Sequence, residues 1–339
     1  MKSNKSFRKL EECFLVSILM FSILYAGNGS EKTVSQKVEG EVHANWHIDL
    51  IEDAEPLSQF ELTRAYFGYK MTVNEKFTGR VMLDVGRINS VDESGKSDPR
   101  LVAYLKYGYL EMKNLIPITT IILGLHGLNQ FKYQEGFWGY RYVYKSFMDQ
   151  YKFGSSADLG LGIKVKPVDQ LAFKIHVING EGYKKLQGDD GKYKAAFGSE
   201  IHVVEGLRMY LYGDIMSFDE DIEKRPQGSA AVFIGYKLKK NFRIGAEYNF
   251  QANHGGDVSA DYNGISGYTT VAIKKVEIFV RGDVLSKDKF ETTSGTLIIG
   301  LQYAPVKNLM LAPNFQLNFP ADGSKDTEPV IYINGRFKF

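Results

Sequence analysis

The chain has 339 residues, of which 42 are basic and 40 are acidic, so its formal net charge is only +2. This balance excludes the strongly basic surface that is typical of nucleic-acid-binding domains. Gly, Phe and Tyr are abundant, and no apolar run after the N-terminal segment approaches the ~18 residues of a membrane-spanning helix. These features favour one large all-β domain over a bundle of membrane helices.

The N-terminus has the three parts of a secretory signal peptide. A basic segment is followed by the apolar run 14–25 and by the small residues Ala26 and Gly27. We predict that residues 1–27 are a signal peptide that is removed, with cleavage between Ala26 and about Ser30. Cys13 would leave with it, so we expect no thiol chemistry in the mature domain, 28–339.

The mature chain is a series of segments in which apolar and polar residues alternate. This period of two predicts β-strands with one apolar and one polar face. The sixteen predicted strands cover approximately 38–50, 60–71, 77–88, 101–112, 118–129, 156–166, 171–179, 193–204, 207–217, 229–238, 242–252, 265–273, 276–285, 296–304, 309–319 and 330–339.

The connections between these strands alternate between short turns and longer loops. An even number of ~10-residue strands with short turns on one side is typical of a transmembrane β-barrel. The fold class that we predict is therefore all-β, an antiparallel up-and-down barrel of about sixteen strands. A secreted β-sandwich or β-helix would explain the alternation of residues but not the one-sided loop lengths.

The last segment, 330–339, gives the barrel a means of closure. Its apolar face ends in Phe337 and Phe339, whereas Arg336 and Lys338 lie on the polar face. An unpaired strand edge in lipid would cost several kcal/mol for each free backbone group. We therefore expect this strand to pair with the first one, with its apolar face towards lipid and its polar face towards a watery lumen.

The inward faces of the predicted strands carry more basic than acidic residues. A wide barrel of this strand number holds an aqueous channel, and a basic wall would favour anions. Pairing of these charges across strands would cancel the effect. The candidate lumen-wall residues are Arg64, Arg80, Asp84, Lys106, Asp158, Lys164, Lys174, Arg208, Arg243, Arg281 and Arg336.

The long loop after the fifth strand is too apolar for a solvated external loop. From Tyr140 onwards its aromatic residues, including Tyr144, have helical spacing, which predicts a helix with an aromatic face against the inner wall. Lys145 and Asp149 have the spacing of an ion pair. We predict that this loop folds inward after strand five and constricts the pore with Arg141 and Lys145. An extracellular cap packed by its own aromatic residues is the alternative.

The signal peptide, the sixteen alternating segments, the loop after strand five and the terminal Phe339 together resemble a bacterial outer-membrane porin. The phosphate-selective group is the most similar, although the lumen lacks a dense run of arginines and that specificity is not carried over. The resemblance implies an outer-membrane location in contact with lipid and lipopolysaccharide. It also implies recognition of the C-terminal strand by the barrel-assembly machinery, and a homotrimer.

The function that we expect is passive diffusion of small hydrophilic solutes and ions, with a mild preference for anions. The sequence contains no cluster of nucleophile, base and orienting group, so we expect no catalytic site. We also expect no metal, no cofactor and no nucleic-acid partner. A surface receptor or adhesin that uses the barrel only as an anchor is the alternative, and a barrel enzyme is a third hypothesis.

Overall fold

The computed structural model describes residues 33–50, 55–87, 101–185, 193–218, 224–239, 241–288, 292–321 and 327–339. The predicted signal peptide lies outside this part of the chain and remains a prediction. The described strands are β1 to β16 in chain order: Val34–Asp49, Ser58–Val73, Phe77–Arg87, Leu101–Lys113, Thr119–Gly127, Ala157–Val168, Leu171–Ile178, Lys194–Ile201, Leu207–Met216, Gln227–Leu238, Phe242–Ala252, Tyr262–Ile273, Val276–Lys287, Thr292–Val306, Leu309–Phe319 and Glu328–Lys338.

Each strand pairs with its neighbours in the sequence, and β16 pairs with β1, so the sheet is a closed barrel. The closing pair is antiparallel, with Glu41 opposite Lys338 and Asp49 opposite Val330. Two further backbone hydrogen bonds between Gly40 and Phe339, of 2.9 and 3.0 Å, continue this ladder to the last residue. The predicted barrel and its closure by the last strand are confirmed.

Alternation along the strands gives the barrel an apolar outer surface. Phe337 and Phe339 lie on it, with 46% and 52% of their surface exposed. On β13, Ile278 and Val284 point outwards, while Arg281 and the residues two positions away on either side are buried inside. This is the pattern of a barrel whose interior is polar and whose exterior is apolar.

The short turns match their predicted positions because polar residues there accept a left-handed backbone. Asn74, Asn114, Lys239 and Lys274 have φ values between 50° and 58°, a conformation that tight hairpin turns require. One long connection is shorter than predicted, since β13 and β14 extend until only 288–291 separate them.

The helical residues of the described chain are confined to connections. They form α1 (Lys132–Trp138), α2 (Phe147–Gln150) and a 3₁₀ turn at His254–Gly256. None of the helices in the described ranges has the length and hydropathy of a membrane-spanning helix.

Candidate pore constriction

The connection between β5 and β6, residues 128–156, folds into the barrel, and we call it the inner loop. Its aromatic residues form the main buried cluster with the inner faces of later strands, including Tyr210, Phe233 and Phe279. The inward-folded loop predicted after strand five is therefore confirmed. It packs against one side of the barrel wall and leaves space on the other.

The prediction of a helix that starts at Tyr140 is wrong. Helix α1 precedes it and ends at Gly139, whose φ of 82° is unfavourable for residues with a side chain. From Tyr140 to Tyr144 the backbone makes a single turn, closed by an N–H donated from Tyr144 to the Tyr140 carbonyl oxygen at 3.0 Å. Only the four residues of α2 are helical beyond that point.

The spacing of these aromatic residues reflects separate anchors on the wall. The Tyr140 hydroxyl donates to Glu277, and the Tyr142 hydroxyl donates to Gln302 at 2.7 Å. Tyr144 lies 3.2 Å from the Thr296 hydroxyl. Because each tyrosine finds a partner on a different part of the wall, the loop follows the wall and not a helical axis.

Arg281 is the main polar anchor of the inner loop. It is 1% exposed, and its guanidinium makes two hydrogen bonds to Asp283, of 2.8 and 2.7 Å. It also donates to the carbonyl oxygen of Lys145 at 2.9 Å. Its guanidinium carbon lies 5.1 Å from the ring centroid of Trp138 and 5.2 Å from that of Tyr144, within the range of cation–π contacts.

The opposite side of the inner loop carries an ionic cluster. Arg141 lies between two carboxylates, 2.7 Å from Glu135 and 2.6 Å from Asp149. The predicted ion pair between Lys145 and Asp149 is thus replaced by one between Arg141 and Asp149, since the non-helical backbone changes the direction of Arg141. Within the described ranges Lys145 forms no ion pair.

Facing this cluster, β2, β3 and β4 bring Arg64, Tyr66, Asp84 and Lys106 together. Asp84 is 1% exposed and lies 3.6 Å from Arg64 and 3.9 Å from Lys106. Lys106 also donates to the Tyr66 hydroxyl at 2.7 Å. These four residues and the inner-loop residues Glu135, Arg141 and Asp149 form what we call the constriction zone.

A β-bulge makes this wall possible. The pairing of β3 with β4 shifts between Met82 and Leu83, which leaves Lys106 as an extra residue on β4. A bulge of this kind turns two successive side chains to similar directions. Lys106 and Tyr107 consequently both lie inside, with the Lys106 ammonium 5.9 Å from the Tyr107 ring centroid.

Three cavities border the constriction zone, and the two larger ones lie towards opposite ends of the barrel. One, of about 660 Å³, opens towards the long-loop end and is lined by Arg64, Lys145 and Asp149. The other, of about 510 Å³, extends towards the short-turn end and is lined by Arg80, Lys106 and Glu135. Arg141 lines both cavities and lies between them, and we call the two cavities together the passage.

The remaining candidate wall residues occupy different surroundings. Near the short-turn end, Arg80 pairs with Glu39 at 2.6 Å, and Arg336 pairs with Glu41 at 2.9 Å. The Arg208 guanidinium donates to the backbone carbonyl oxygen of the preceding residue, Leu207. The two ion pairs, of Arg80 with Glu39 and of Arg336 with Glu41, partly neutralise the positive charge of the wall.

Four other candidates do not line either of these two cavities. Arg243 lies beneath the inner loop, with its guanidinium carbon 5.3 Å from the Tyr140 ring centroid. Lys164 and Lys174 share Glu200 and line a side cavity of about 540 Å³. Asp158 accepts three backbone N–H groups and serves the local fold. No group of three or more His, Cys, Asp or Glu side chains in the described ranges is arranged to hold a metal ion.

Sequence reasoning missed Glu135, Tyr66 and Tyr107. Tyr66 could have been found, because it shares the inward face of β2 with Arg64. Glu135 stands on α1, a helix that was not predicted, and Tyr107 depends on the bulge. Neither of these two had a local signal in the sequence.

The two carboxylates beside Arg141 have different protonation behaviour. Burial raises the pKa of Glu135, and the nearby charge of Arg141 only partly opposes this. Burial would also raise the pKa of Asp149, but the positive charges of Arg141 and Lys145 outweigh it, so that this pKa is lowered. As the pH falls, Glu135 therefore takes up a proton before Asp149 does.

We expect acidification from neutral pH to make the passage more attractive to anions. Loss of the Glu135 charge leaves the cations of the constriction zone in greater excess, and the midpoint should lie above the ordinary range of a glutamate. The zero-current potential in a salt gradient, recorded between pH 7 and pH 4, measures this. The variant Glu135→Gln should lose the step, whereas Glu75→Gln in the exposed β2–β3 turn should retain it. If the pH-dependent change in potential persists in Glu135→Gln, another titrating group causes it.

The fold is shared with solved outer-membrane structures at low sequence identity. The anion-selective porin from Comamonas acidovorans has a TM-score of 0.69 and 9% identity, over 91% of this chain and 100% of that one. OmpF of Salmonella typhi, in a complex with daunomycin, has a TM-score of 0.66 and 12% identity, over 90% and 97%. The outer membrane channel DcaP of Acinetobacter baumannii has a TM-score of 0.65 and 11% identity, over 93% and 100%.

No protein-family model and no curated protein matches the sequence. The likeness therefore lies in the fold, and it extends over the whole barrel and not over one part of it. With its sixteen strands closed in sequence order and a loop folded inward after β5, the chain has the barrel fold of bacterial outer-membrane porins.

Proposed function

We propose that this chain forms a water-filled pore in the bacterial outer membrane, through which small hydrophilic solutes and ions diffuse passively, with no chemical step. The observation that supports this most directly is the pair of cavities that meet at Arg141 inside a closed barrel. A barrel of this size with an apolar exterior and a polar interior is suited to such a role.

The proposal includes a mild preference for anions. Arg64, Lys106 and Arg141 in the constriction zone are joined by Lys145 and by Lys184 at the long-loop side, against the three carboxylates of the zone. A unit charge 4 Å from an ion is worth roughly 1–4 kcal/mol, depending on the local dielectric constant. An excess of two charges therefore favours anions without excluding cations, and salt should weaken the effect.

The test is a single-channel recording of the purified, folded protein in a planar bilayer under a KCl gradient. We expect stable conductance steps and a zero-current potential of the sign that denotes anion selectivity, smaller at high salt. Swelling of proteoliposomes in neutral sugars should show passage of uncharged solutes as well. Protein unfolded by boiling is the control.

Each result has a distinct meaning. A potential of the opposite sign would contradict the anion preference and leave the pore in place. Absence of conductance from folded protein would contradict the pore and favour the receptor or adhesin that acts through its outer loops. The same preparation, screened for hydrolysis of lipids and peptides, tests the hypothesis of an enzyme.

The assembly pathway belongs to the same proposal. Removal of the signal peptide 1–27 would deliver a mature domain beginning near residue 28, whose last strand ends in the outward-facing Phe337 and Phe339. We infer that the barrel-assembly machinery recognises this strand, and that the outer surface contacts lipid and lipopolysaccharide. A homotrimer is also proposed, in view of the trimer form of Vibrio cholerae OmpT, which has a TM-score of 0.60 with this chain.

A further inference from the structure

A second connection also enters the barrel. Residues 179–185, which follow β7, begin with Gly180 and Gly182 in left-handed conformations, with φ values of 110° and 87°. Their N–H groups donate to one oxygen of Asp158, at 2.7 and 3.2 Å. Because a carboxylate that accepts backbone N–H groups fixes the path of a turn, Asp158 directs this segment inwards.

The segment is held closely against the beginning of β6. A Cβ atom at Gly182 would clash with the Ser155 side chain, so a larger residue does not fit there. The Tyr183 N–H donates to the Ala157 carbonyl oxygen at 3.0 Å. From this point the segment reaches past β6 and β5 to the inner faces of β3 and β4.

The side chain of Tyr183 reaches into the constriction zone. Its hydroxyl donates to Asp84, and its ring centroid lies 5.0 Å from the Lys106 ammonium. The ring also packs at 82° against Tyr104 of β4, with 6.4 Å between centroids. Tyr183 is thus tied to the wall by a hydrogen bond, a cation–π contact and an edge-to-face contact.

The next residue brings a positive charge to the same place. The Lys184 ammonium lies 4.9 Å from the Tyr104 ring centroid and lines the 660 Å³ cavity with Arg64 and Arg141. Burial lowers the pKa of Lys184, and Asp84 nearby opposes this. Among the described side chains, no ion pair with Lys184 is formed.

We propose that residues 179–185 are a second constricting element of the pore, in which Tyr183 sets the size limit and Lys184 adds to the selection of anions. The inference rests on the proposed pore function and assigns specificity to residues outside the inner loop. The inner loop then bounds the passage on one side, and this segment bounds it at the side of β3 and β4.

Single-channel conductance and proteoliposome swelling in a series of neutral sugars test the role of Tyr183. The variant Tyr183→Ala should conduct about 1.5- to 2-fold more than the wild type, since conductance follows the cross-section of the narrowest part, and should admit larger sugars. The matched control is Tyr193→Ala, at the far end of the same connection, where the side chain is 58% exposed. It should behave as the wild type does.

Two further variants separate size from charge. Tyr183→Phe keeps the ring and removes only the hydrogen bond to Asp84, so the sugar limit should stay while the zero-current potential moves towards cations. Lys184→Ala should move the potential in the same direction without a change in the sugar limit. Resistance to unfolding in detergent below boiling, read from gel migration, shows that each variant is folded.

The outcomes distinguish this inference from the pore itself. If the wild type does not conduct, the proposed function fails. If the wild type conducts and Tyr183→Ala has the same conductance and sugar limit, the second constriction is wrong while the pore stands. If Tyr183→Ala does not fold, an unchanged potential in both Tyr183→Phe and Lys184→Ala overturns the inference, and a shift in both supports it.

Discussion

Replacing Arg281 with alanine is expected to free the inner loop from the wall and raise the single-channel conductance severalfold. The guanidinium is the shared partner of Asp283, the Lys145 carbonyl oxygen and the rings of Trp138 and Tyr144. Its loss leaves Asp283 buried without a counter-charge, and breaking a buried ion pair in this way costs about 3–5 kcal/mol. Bilayer recordings should show larger and noisier steps than the wild type.

The control removes both charges together. The double variant Arg281→Met with Asp283→Leu removes both members of the ion pair and retains most of the volume around Trp138. Replacement of a buried pair by apolar residues is often neutral or stabilising, so its conductance should lie close to that of the wild type. If Arg281→Ala itself conducts as the wild type does, the aromatic contacts alone hold the inner loop in place.

The barrel could be predicted from the sequence because each strand carries its own signal. On β11, residues 242–252, the side chains point alternately outwards and inwards. Ile244 and Tyr248 lie on the outer face, and Glu247 and Asn249 lie on the inner face. A shift of one residue would invert both faces, so the alternation also sets the register. The polar turns add local evidence at the strand ends, and for β11 and β15 the predicted and observed limits coincide.

The course of the inner loop could not be predicted in the same way. Tyr140 and Glu277 are 137 residues apart, and a local pattern cannot report such a contact. A helical spacing of aromatic residues indicates a helix only when all of them face the same surface of that helix. In the inner loop, each tyrosine instead bonds to its own partner on the wall. Only the inward direction of the loop followed from its composition, since so many aromatic residues require burial.

The charged wall shows a second limit of local reasoning. Asp158 and Arg281 both lie on inward faces, as alternation predicted, yet neither lines the passage. Asp158 is occupied by Gly180 and Gly182, and Arg281 lies beneath the inner loop. Strand alternation determines which side of the wall a residue faces, but packed loops determine which of those residues reach the water.

Replacing Arg141 and Lys145 together with alanine is expected to bring the zero-current potential close to zero, because it removes the excess of two positive charges on which the anion preference depends. The change removes two cations and leaves Glu135 and Asp149 without the guanidinium that they share at 2.7 and 2.6 Å. The carboxylates of the inner loop then face the passage unpaired, and their field acts where the two cavities meet. The measurement is the potential in a KCl gradient at neutral pH.

The matched control removes one arginine and one lysine from another part of the barrel. Arg208 and Lys237 lie together at the short-turn end, where the Lys237 N–H donates to the Gly206 carbonyl oxygen at 3.0 Å. The double variant Arg208→Ala with Lys237→Ala should therefore shift the potential far less, because charges at a wide mouth are screened within about 10 Å at 0.1 M salt. Equal shifts in the two double variants would mean that selectivity follows the total charge of the barrel, and that Arg141 and Lys145 have no special position in the passage.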